Sequence, residues 1–321
     1  IAMDYGFSIP ARGPLANRNG VDAMAKHGEK HGFAYLAVPD HIVVPTNISS
    51  VYPYSHSGNF PGAASGDALE LFTVMAYLAA VTTSITLLSS IMVVPHRGAV
   101  HSAKILSTID ELSGGRLTVG VGAGWLEEEF EIIGAPPFAE RGKVTDEYLA
   151  AIKALWIQDR PRFEGKYVQF SNVSFLPKPH QSPHPPIWVG GESEPALRRV
   201  IQHGDAWYPV GSNPRYPLNT RERYESAVKQ LSQLAEVQGR DPATISLAYW
   251  ANWYNESGAV FLDDGQRHLF TGNSEEIATD IRLFREIGVN HLLFNFQRDT
   301  LEHSLESMDN FVENILPMAE E

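Results

Sequence analysis

The 321-residue sequence contains no cysteine and no apolar run of the length, about 18 residues, that spans a membrane. The lack of cysteine excludes thiol nucleophiles, iron–sulfur clusters, cysteine-ligated zinc and disulfide frameworks. It is also what a reducing compartment would favour. We therefore expect a cytoplasmic protein that is not embedded in a membrane.

Basic side chains are in the minority, because 25 Lys and Arg stand against 38 Asp and Glu, for a formal net charge of −13. Partners rich in phosphate need a basic stripe, which no segment of the chain supplies. We expect neither nucleic acid nor an anionic membrane as a partner. The 43% of hydrophobic residues is ordinary for a folded enzyme, so a small-molecule substrate is the natural alternative.

Several catalytic motifs are missing as well. The chain has no Walker sequence, no G-x-S-x-G elbow and no His-x-His pair in its first predicted strand, and its histidines lack ligand spacing at strand ends. The glycine run from Gly120 fails as a dinucleotide fingerprint, because Trp125 stands where a third small residue is needed. Nucleotide hydrolysis and acyl-enzyme chemistry are disfavoured, and we expect no catalytic metal.

The sequence does contain a regular alternation of short apolar or β-branched runs with longer segments of helical spacing. The predicted strands cover residues 5–9, 33–38, 85–94, 117–121, 187–189, 206–210, 245–253 and 291–296. The predicted helices cover residues 20–31, 68–82, 100–112, 144–157, 195–203, 221–238, 274–287 and 301–319. Eight such units predict an α/β fold, a closed (β/α)₈ TIM barrel that forms one domain over residues 1–321.

Two segments interrupt this rhythm and are predicted to be insertions, residues 39–67 after strand 2 and residues 160–186 before strand 5. Loops that follow barrel strands build the active-site face, so the first insertion predicts a lid or a pocket wall. The alternative is that this insertion is a structural loop that contacts no ligand.

Polar and glycine residues mark several predicted strand ends. Asp40 and His41 follow strand 2, where an imidazole can handle protons near neutral pH, although a capping Asp with a solvated His is the alternative. Ser89 and Ser90 interrupt the apolar strand 3, which predicts a bulge beside a ligand or, alternatively, serines that bond neighbouring carbonyls. The turn after strand 5 consists of Gly190, Gly191, Glu192 and Ser193. Its unhindered backbone amides predict an anion-binding site, and an ordinary tight turn without a ligand is the alternative.

Taken together, these segments resemble the luciferase-like monooxygenase superfamily, in particular its branch of coenzyme F420-dependent oxidoreductases. The most specific part is the stretch over residues 107–125, which is similar to the family's signature across helix 3 and strand 4. Further similar stretches are residues 32–41, 140–142, 186–191, 204–207 and 271–295. The resemblance covers most of the chain.

The resemblance implies a flavin or deazaflavin at the carboxyl end of the barrel, with its ring on the strand 3 bulge and a cis peptide at Ser90–Ile91. It implies phosphate contacts from the glycine-rich turns, which adds Gly122, Ala123, Gly124 and Trp125 to the cofactor site. An Asp-His pair after strand 2, here Asp40 and His41, is typical of the F420 branch. In the sugar-phosphate dehydrogenase relatives, a Glu stands at the position of Trp125 as the expected acid. Because this chain lacks that Glu, His41 is the predicted catalytic residue.

The function that this resemblance implies is hydride transfer between coenzyme F420 and a small organic substrate. An FMN-dependent two-component monooxygenase is the first alternative, a non-catalytic flavin-binding barrel the second, and a barrel hydrolase without flavin the least favoured. A homodimer and a separate flavin or F420 reductase are the expected protein partners.

Overall fold

The computed structural model describes residues 3–320 and confirms a closed, parallel eight-stranded barrel surrounded by helices. The strands are β1 (Asp4–Ser8), β2 (Tyr35–Val38), β3 (Thr86–Ser89), β4 (Met92–Val93), β5 (Leu117–Gly122), β6 (Phe163–Glu164), β7 (Gln169–Phe170), β8 (Ile187–Gly190), β9 (Ala206–Tyr208), β10 (Ser246–Ala251) and β11 (His291–Phe294). The α-helices are α1 (Arg18–Lys30), α2 (Leu71–Val81), α3 (Ala99–Ser113), α4 (Glu127–Ile133), α5 (Arg141–Ile157), α6 (Glu194–His203), α7 (Arg221–Val237), α8 (Ser274–Ile287), α9 (Leu301–Asn310) and α10 (Leu316–Glu320).

The barrel closes because β1 pairs in parallel with both β2 and β11, while β5 pairs with β3, β4 and β8. β3 and β4 together occupy the position of the third barrel strand, and they pair with different parts of β5. Leu87 of β3 lies opposite Leu117, and Met92 of β4 lies opposite Val121. The two insertions lie where the sequence predicts them, and the second one contains the antiparallel hairpin of β6 and β7.

Alternation along each strand divides the core into two parts. In β2, Leu36 and Val38 pack toward the helices, whereas Ala37 joins a smaller cluster inside the barrel. This inner cluster also contains Trp188, whose ring lies 4.9 Å from Tyr35 and 4.7 Å from His291. Tyr35 and His291 begin their strands, so these rings fill the amino-terminal end of the barrel and leave the carboxyl-terminal end for a ligand.

The structure differs from the predicted strands mainly at strand 3. The sequence predicts one strand over residues 85–94, but the ladder breaks at Ser90 and Ile91 and resumes as β4. The physical reason is that Ser90 and Ile91 leave the regular pleat, so the chain bulges between two partly separate pairings with β5.

Helix boundaries also differ from the predictions at a few ends. α2 begins at Leu71 rather than residue 68, because the Glu70 side chain accepts a hydrogen bond from the Thr73 amide and caps the helix. The residue that caps α8 is Asn273, which forms a capping box with Glu276. The last predicted helix is interrupted by a π-helical turn over Phe311–Ile315. The short helix α4 is not among the predicted helices.

Gly288 follows α8 as its cap in a left-handed conformation, which glycine adopts without steric cost. Of the helices in residues 3–320, none has the length and apolar character needed to cross a bilayer.

Candidate active site

The carboxyl ends of the barrel strands open into a cavity of about 910 Å³. Ligands bind at this end of parallel barrels, because the loops that follow the strands meet there. Apart from Ser89, the predicted site residues all line it, namely Asp40, His41, Ser90, Ile91, Gly122, Ala123, Gly124, Trp125, Gly190, Gly191, Glu192 and Ser193. The structure thus brings together residues from four separate strand ends.

The two serines at the break in strand 3 face different surroundings. Ser89 is fully buried behind the cavity wall, and its hydroxyl donates a 2.8 Å hydrogen bond to the Gly120 carbonyl. Ser90 faces the cavity, where its Oγ lies 3.0 Å from the Tyr208 hydroxyl. Burial raises the pKa of Tyr208 above its ordinary value, so this phenol remains neutral and supports Ser90. Ser89 therefore holds the bulge against β5, and Ser90 is the serine that can meet a ligand.

The peptide between Ser90 and Ile91 is cis, as the resemblance implies. The Ile91 side chain packs against the glycines of β5 and β8. A Cβ at Gly122 would collide with it, and a Cβ at Gly190 would lie 2.8 Å from its Cδ1. Part of the glycine pattern that sequence reasoning assigns to phosphate therefore makes room for Ile91.

His41 is held by a carboxylate from α4. Its Nδ1 lies 2.9 Å from Glu129 Oε2, while Glu129 Oε1 accepts hydrogen bonds from the amides of Ile42 (2.6 Å) and Val43 (3.1 Å). Burial by itself would raise the pKa of Glu129, but the hydrogen bond and charge of His41 and the Ile42 amide outweigh burial. The pKa of Glu129 lies below its ordinary value, so an anion orients the imidazole.

This arrangement leaves the other nitrogen of His41 available. Within residues 3–320, His41 Nε2 has no hydrogen-bond partner, and the ring lies 5.0 Å from Phe60 and 6.4 Å from Trp125. A histidine whose Nδ1–H is donated to a carboxylate presents Nε2 as an acceptor. The site therefore offers one oriented imidazole nitrogen beside an aromatic wall.

Helix α4 also anchors the first insertion. Glu128 Oε1 accepts the amides of Ser49 (2.5 Å) and Ser50 (3.0 Å), and the Ser50 hydroxyl donates to Oε2 at 2.6 Å. In the sequence, residues 127–129 are three consecutive glutamates shortly after the glycine run that begins at Gly120. Two of these carboxylates in fact bind the chain that follows strand 2, which is a long-range pairing without a local signal.

The inner surface of this insertion is aromatic. Tyr52 and Phe60 lie 5.1 Å and 5.3 Å from the Trp125 ring, and Tyr54 stacks edge-on against Tyr52 at 5.5 Å. Such edge and tilted contacts give a firm apolar wall. The insertion therefore forms a wall of the cavity, as the sequence predicts.

Asp40 lies just behind His41 in a different role. Its carboxylate accepts both arms of Arg97 at 2.9 Å and the Val93 amide at 2.9 Å, and Arg97 also contacts Glu70 at 2.8 Å. The Asp40 side chain is fully buried. Because its oxygens are already bonded within the protein, Asp40 fixes β4 and the start of the insertion.

The turn after β8 leads into the amino terminus of α6. Ser193 occupies the cap position of this helix, yet in the described part of the chain no side chain caps it. Arg141 and Arg199 also line the cavity; the Arg199 guanidinium pairs with Asp146 at 2.6 Å, and that of Arg141 bonds two backbone carbonyls. Free amides at the positive end of a helix attract anions, so this turn is a candidate phosphate site.

Glu192 stands apart in this turn because its carboxyl is set up to titrate near neutrality. Glu192 Oε1 accepts the Val210 amide and Oε2 accepts the Asn213 side chain, both at 2.8 Å. Burial raises the pKa of Glu192 to about 7, and these two hydrogen bonds only partly oppose the rise. Burial therefore favours the neutral form of this carboxyl on the cavity wall.

Sequence reasoning missed several residues of the cavity. Arg12, Arg141, Arg199, Tyr208 and Trp250 line it in addition to those predicted. Arg12 Nη1 and Trp250 Nε1 are buried donors for which residues 3–320 supply no partner. The position of Arg12 after β1 and of Trp250 near the end of β10 was a usable signal, since all barrel strands end at one face.

The chain is similar to known proteins over most of its length. A model of the luciferase-like monooxygenase family matches residues 3–251. A protein of unknown function from Mycobacterium tuberculosis is 32% identical, with 91% of this chain and 93% of the relative covered. An FMNH(2)-dependent dimethylsulfone monooxygenase of Pseudomonas putida is 26% identical, with 81% of both chains covered. Among solved structures, an F420-dependent secondary alcohol dehydrogenase superposes with a TM-score of 0.75 at 17% identity, covering 100% of both chains.

The fold and the family match define a (β/α)₈ enzyme. The chain belongs to the luciferase-like monooxygenase family, whose model spans most of its length, and it is an oxidoreductase or monooxygenase of that kind. At 17% identity the structural similarity speaks for the fold alone.

Proposed function

We propose that the chain binds coenzyme F420 in the cavity and transfers hydride between this cofactor and a small organic substrate. The observation that carries the proposal is the Asp40–His41 pair, with His41 oriented by the buried Glu129 beside the bulge at Ser90 and Ile91. When bound, the deazaflavin supplies or accepts the hydride at C5 of its ring. The protein's part is to hold the ring and to move a proton.

The residues of the cavity suit such a cofactor at both ends. The uncapped amino terminus of α6, with Ser193, Arg141 and Arg199, would hold the phosphate arm. Ser90 and Ile91 would contact one face of the ring. Trp250 Nε1, a buried donor whose partner is not among residues 3–320, would serve a polar group of the cofactor or the substrate.

We assign His41 the role of proton carrier at Nε2. Glu129 keeps the imidazole in one orientation, so proton uptake from the substrate does not require the ring to turn. Asp40 acts through position rather than through contact with the cofactor, because Arg97 occupies its carboxylate. The aromatic wall of Tyr52, Phe60 and Trp125 excludes water around the reacting atoms.

An FMN-dependent monooxygenase is the second candidate function, favoured by the 26% identity to the dimethylsulfone monooxygenase over most of the chain. A deazaflavin carries carbon in place of N5 and reacts poorly with oxygen, so oxygen consumption separates the two functions. A separate reductase would then supply reduced FMN.

The deciding experiment is a titration of the purified protein with coenzyme F420 and with FMN, followed by quenching of ligand fluorescence. Tighter binding of F420, with substrate-dependent change of its absorbance and no oxygen uptake, supports hydride transfer. Tighter binding of FMN with substrate-dependent oxygen uptake replaces that proposal with the second candidate. Tight binding without any substrate-dependent change across a substrate panel would make the chain a flavin-binding barrel.

The first prediction concerns the turn after β8. Gly191 has φ +103°, and a Cβ there would lie 2.9 Å from Ala196 Cβ at the start of α6. We expect Gly191→Val to weaken cofactor binding by about 10- to 100-fold, because the branched side chain displaces the amides that meet phosphate. The dissociation constant from fluorescence quenching measures the effect.

Gly239→Val is the matched control for this substitution. Gly239 also has a left-handed backbone, φ +76°, but a Cβ there would meet open space beyond the end of α7. The control should lose thermal stability through the same backbone conflict and retain cofactor affinity. Equal affinities of both variants would remove the turn from the site.

A second prediction concerns the pH dependence of stability. The pKa of Glu192 is about 7 in the folded protein and 4.5 ordinarily, so folding favours its neutral form. The stability contributed by neutral Glu192 is present below pH 4.5 and is lost as pH rises through about 7. From pH 5 to pH 8, we expect the wild-type melting temperature to fall by about 2–5 °C more than that of Glu192→Gln.

Melting curves at four pH values on both proteins provide the measurement, with Glu222→Gln on the exposed face of α7 as the control. The control should follow the wild type. Parallel pH profiles for wild type and Glu192→Gln would show that Glu192 is ionised throughout and does not handle protons near neutrality.

A further inference from the structure

A cluster of three metal-ligand side chains lies outside the barrel, away from the cavity. His27 and His31 stand one turn apart at the end of α1, and Asp309 of α9 faces them. Asp309 Oδ1 lies 2.6 Å from His27 Nε2 and 3.0 Å from His31 Nε2. None of the three lines the cavity of the candidate active site. We propose that these residues bind a zinc ion that joins the first long helix to the last part of the chain.

The helix itself creates half of this site. Residues four apart lie on the same face of an α-helix, so His27 and His31 present their rings side by side, with centroids 4.5 Å apart. Both Nε2 atoms converge on one oxygen, and the three ligand atoms lie within 4.8 Å of one another. Two imidazoles and a carboxylate form a donor set that suits Zn²⁺.

The distances require only a small adjustment. Ligand atoms about 2.0–2.1 Å from a tetrahedral zinc ion are roughly 3.3 Å apart. The two distances to Asp309 Oδ1 are shorter than this, so the carboxylate must move back by less than about 1 Å. Its side chain is 38% exposed and can make this movement, and the histidines, 20% and 19% exposed, leave room for a water as fourth ligand.

The electrostatic surroundings also favour a cation. His27 belongs to the last turn of α1 and His31 follows as its cap, where the helix dipole places partial negative charge. α1 follows β1, and α9 follows β11, the strand that pairs with β1 to close the barrel. A metal at this point would therefore fasten the helices on both sides of the closing pair.

The competing interpretation is a carboxylate that accepts one hydrogen bond from each imidazole without a metal. Glutamine can keep such a hydrogen bond but is a poor zinc ligand, so His31→Gln separates the two. Asp309→Asn tests the carboxylate independently and covers the case in which one variant folds poorly. His101→Gln replaces an exposed histidine of α3 and is the matched control.

The experiment uses full-length protein freed of metal with a chelator and then titrated with zinc chloride in a calorimeter. We expect one equivalent to bind to the wild type and the control, and the affinity to fall by at least about 100-fold in His31→Gln and Asp309→Asn. At a hundredfold excess over the dissociation constant, zinc should raise the melting temperature of the wild type by about 4 °C. Cobalt(II) should give the visible absorption of a tetrahedral site in the wild type and in the His101→Gln control, but not in His31→Gln or Asp309→Asn.

Absence of zinc binding by the wild type overturns the proposal, and so does binding that both variants retain at wild-type affinity. Folding of the variants is checked by their melting curves in chelator. These readouts do not depend on cofactor binding or on turnover, so the outcome stands apart from the proposed function.

Discussion

His41→Ala is expected to lower turnover by about 10²- to 10⁴-fold while leaving cofactor affinity nearly intact. The reason is geometric, since His41 presents Nε2 beside the cavity and Glu129 holds its Nδ1 at 2.9 Å. Single-turnover hydride transfer, the cofactor dissociation constant and the melting temperature, measured on one preparation, separate chemistry from binding and folding. His101→Ala, an exposed histidine outside the cavity, is the control and should retain full activity.

The positioning role of Glu129 can be tested beside this variant. Glu129→Gln preserves the size of the side chain but replaces the carboxylate that holds His41 Nδ1 at 2.9 Å with an amide. If Glu129 orients the proton carrier His41, turnover should fall in Glu129→Gln while cofactor affinity stays close to that of the wild type. Normal hydride transfer in His41→Ala defeats the assignment, and loss of cofactor binding alone would reassign His41 to anchoring the ring.

Arg97→Met is expected to cost about 3–5 kcal/mol of folding free energy. The substitution leaves the fully buried carboxylate of Asp40 without the two guanidinium hydrogen bonds, each 2.9 Å, that compensate its charge. The Arg97 guanidinium carbon also lies 4.7 Å from the centre of the Phe72 ring, so the substitution removes a cation–π contact together with the charge pairing. Denaturant unfolding followed by circular dichroism measures the change.

Two comparisons make this prediction specific. Arg221→Met removes an exposed partner of Glu225 on α7 and should change stability little, because water already solvates both groups. Adding Asp40→Asn to Arg97→Met removes the buried charge and should recover a large part of the loss. A loss in Arg97→Met no greater than in Arg221→Met would mean that Asp40 is not buried as a charge.

The sequence predicts much of the cavity because strand ends of a parallel barrel share one face. His41 and Gly191 follow predicted strands, Ser90 interrupts one, and closure of the barrel places all three on the cavity wall. Helix ends follow from a local rule instead. Gly288 ends α8 because glycine adopts the left-handed conformation without help from the rest of the fold.

The side-chain pairings that orient these residues or compensate their charge could not be predicted from the sequence. Glu129 is 88 positions from His41, and Arg97 is 57 positions from Asp40. Nothing within a few residues of either partner distinguishes them from other charged side chains on the chain. Only the packing of α4 and the bulge against the first insertion brings them together.

The sequence by itself determined the order of strands and helices, the barrel and the face on which ligands bind, because these follow from apolar periodicity and from local turn chemistry. The tertiary structure decided which glycines face a ligand and which make room for Ile91. It also decided that Asp40 is a buried ion-pair partner and that His27 and His31 meet Asp309, 278 residues further along the chain from His31. The physical reason is that such contacts form between groups that only barrel closure brings within hydrogen-bonding distance.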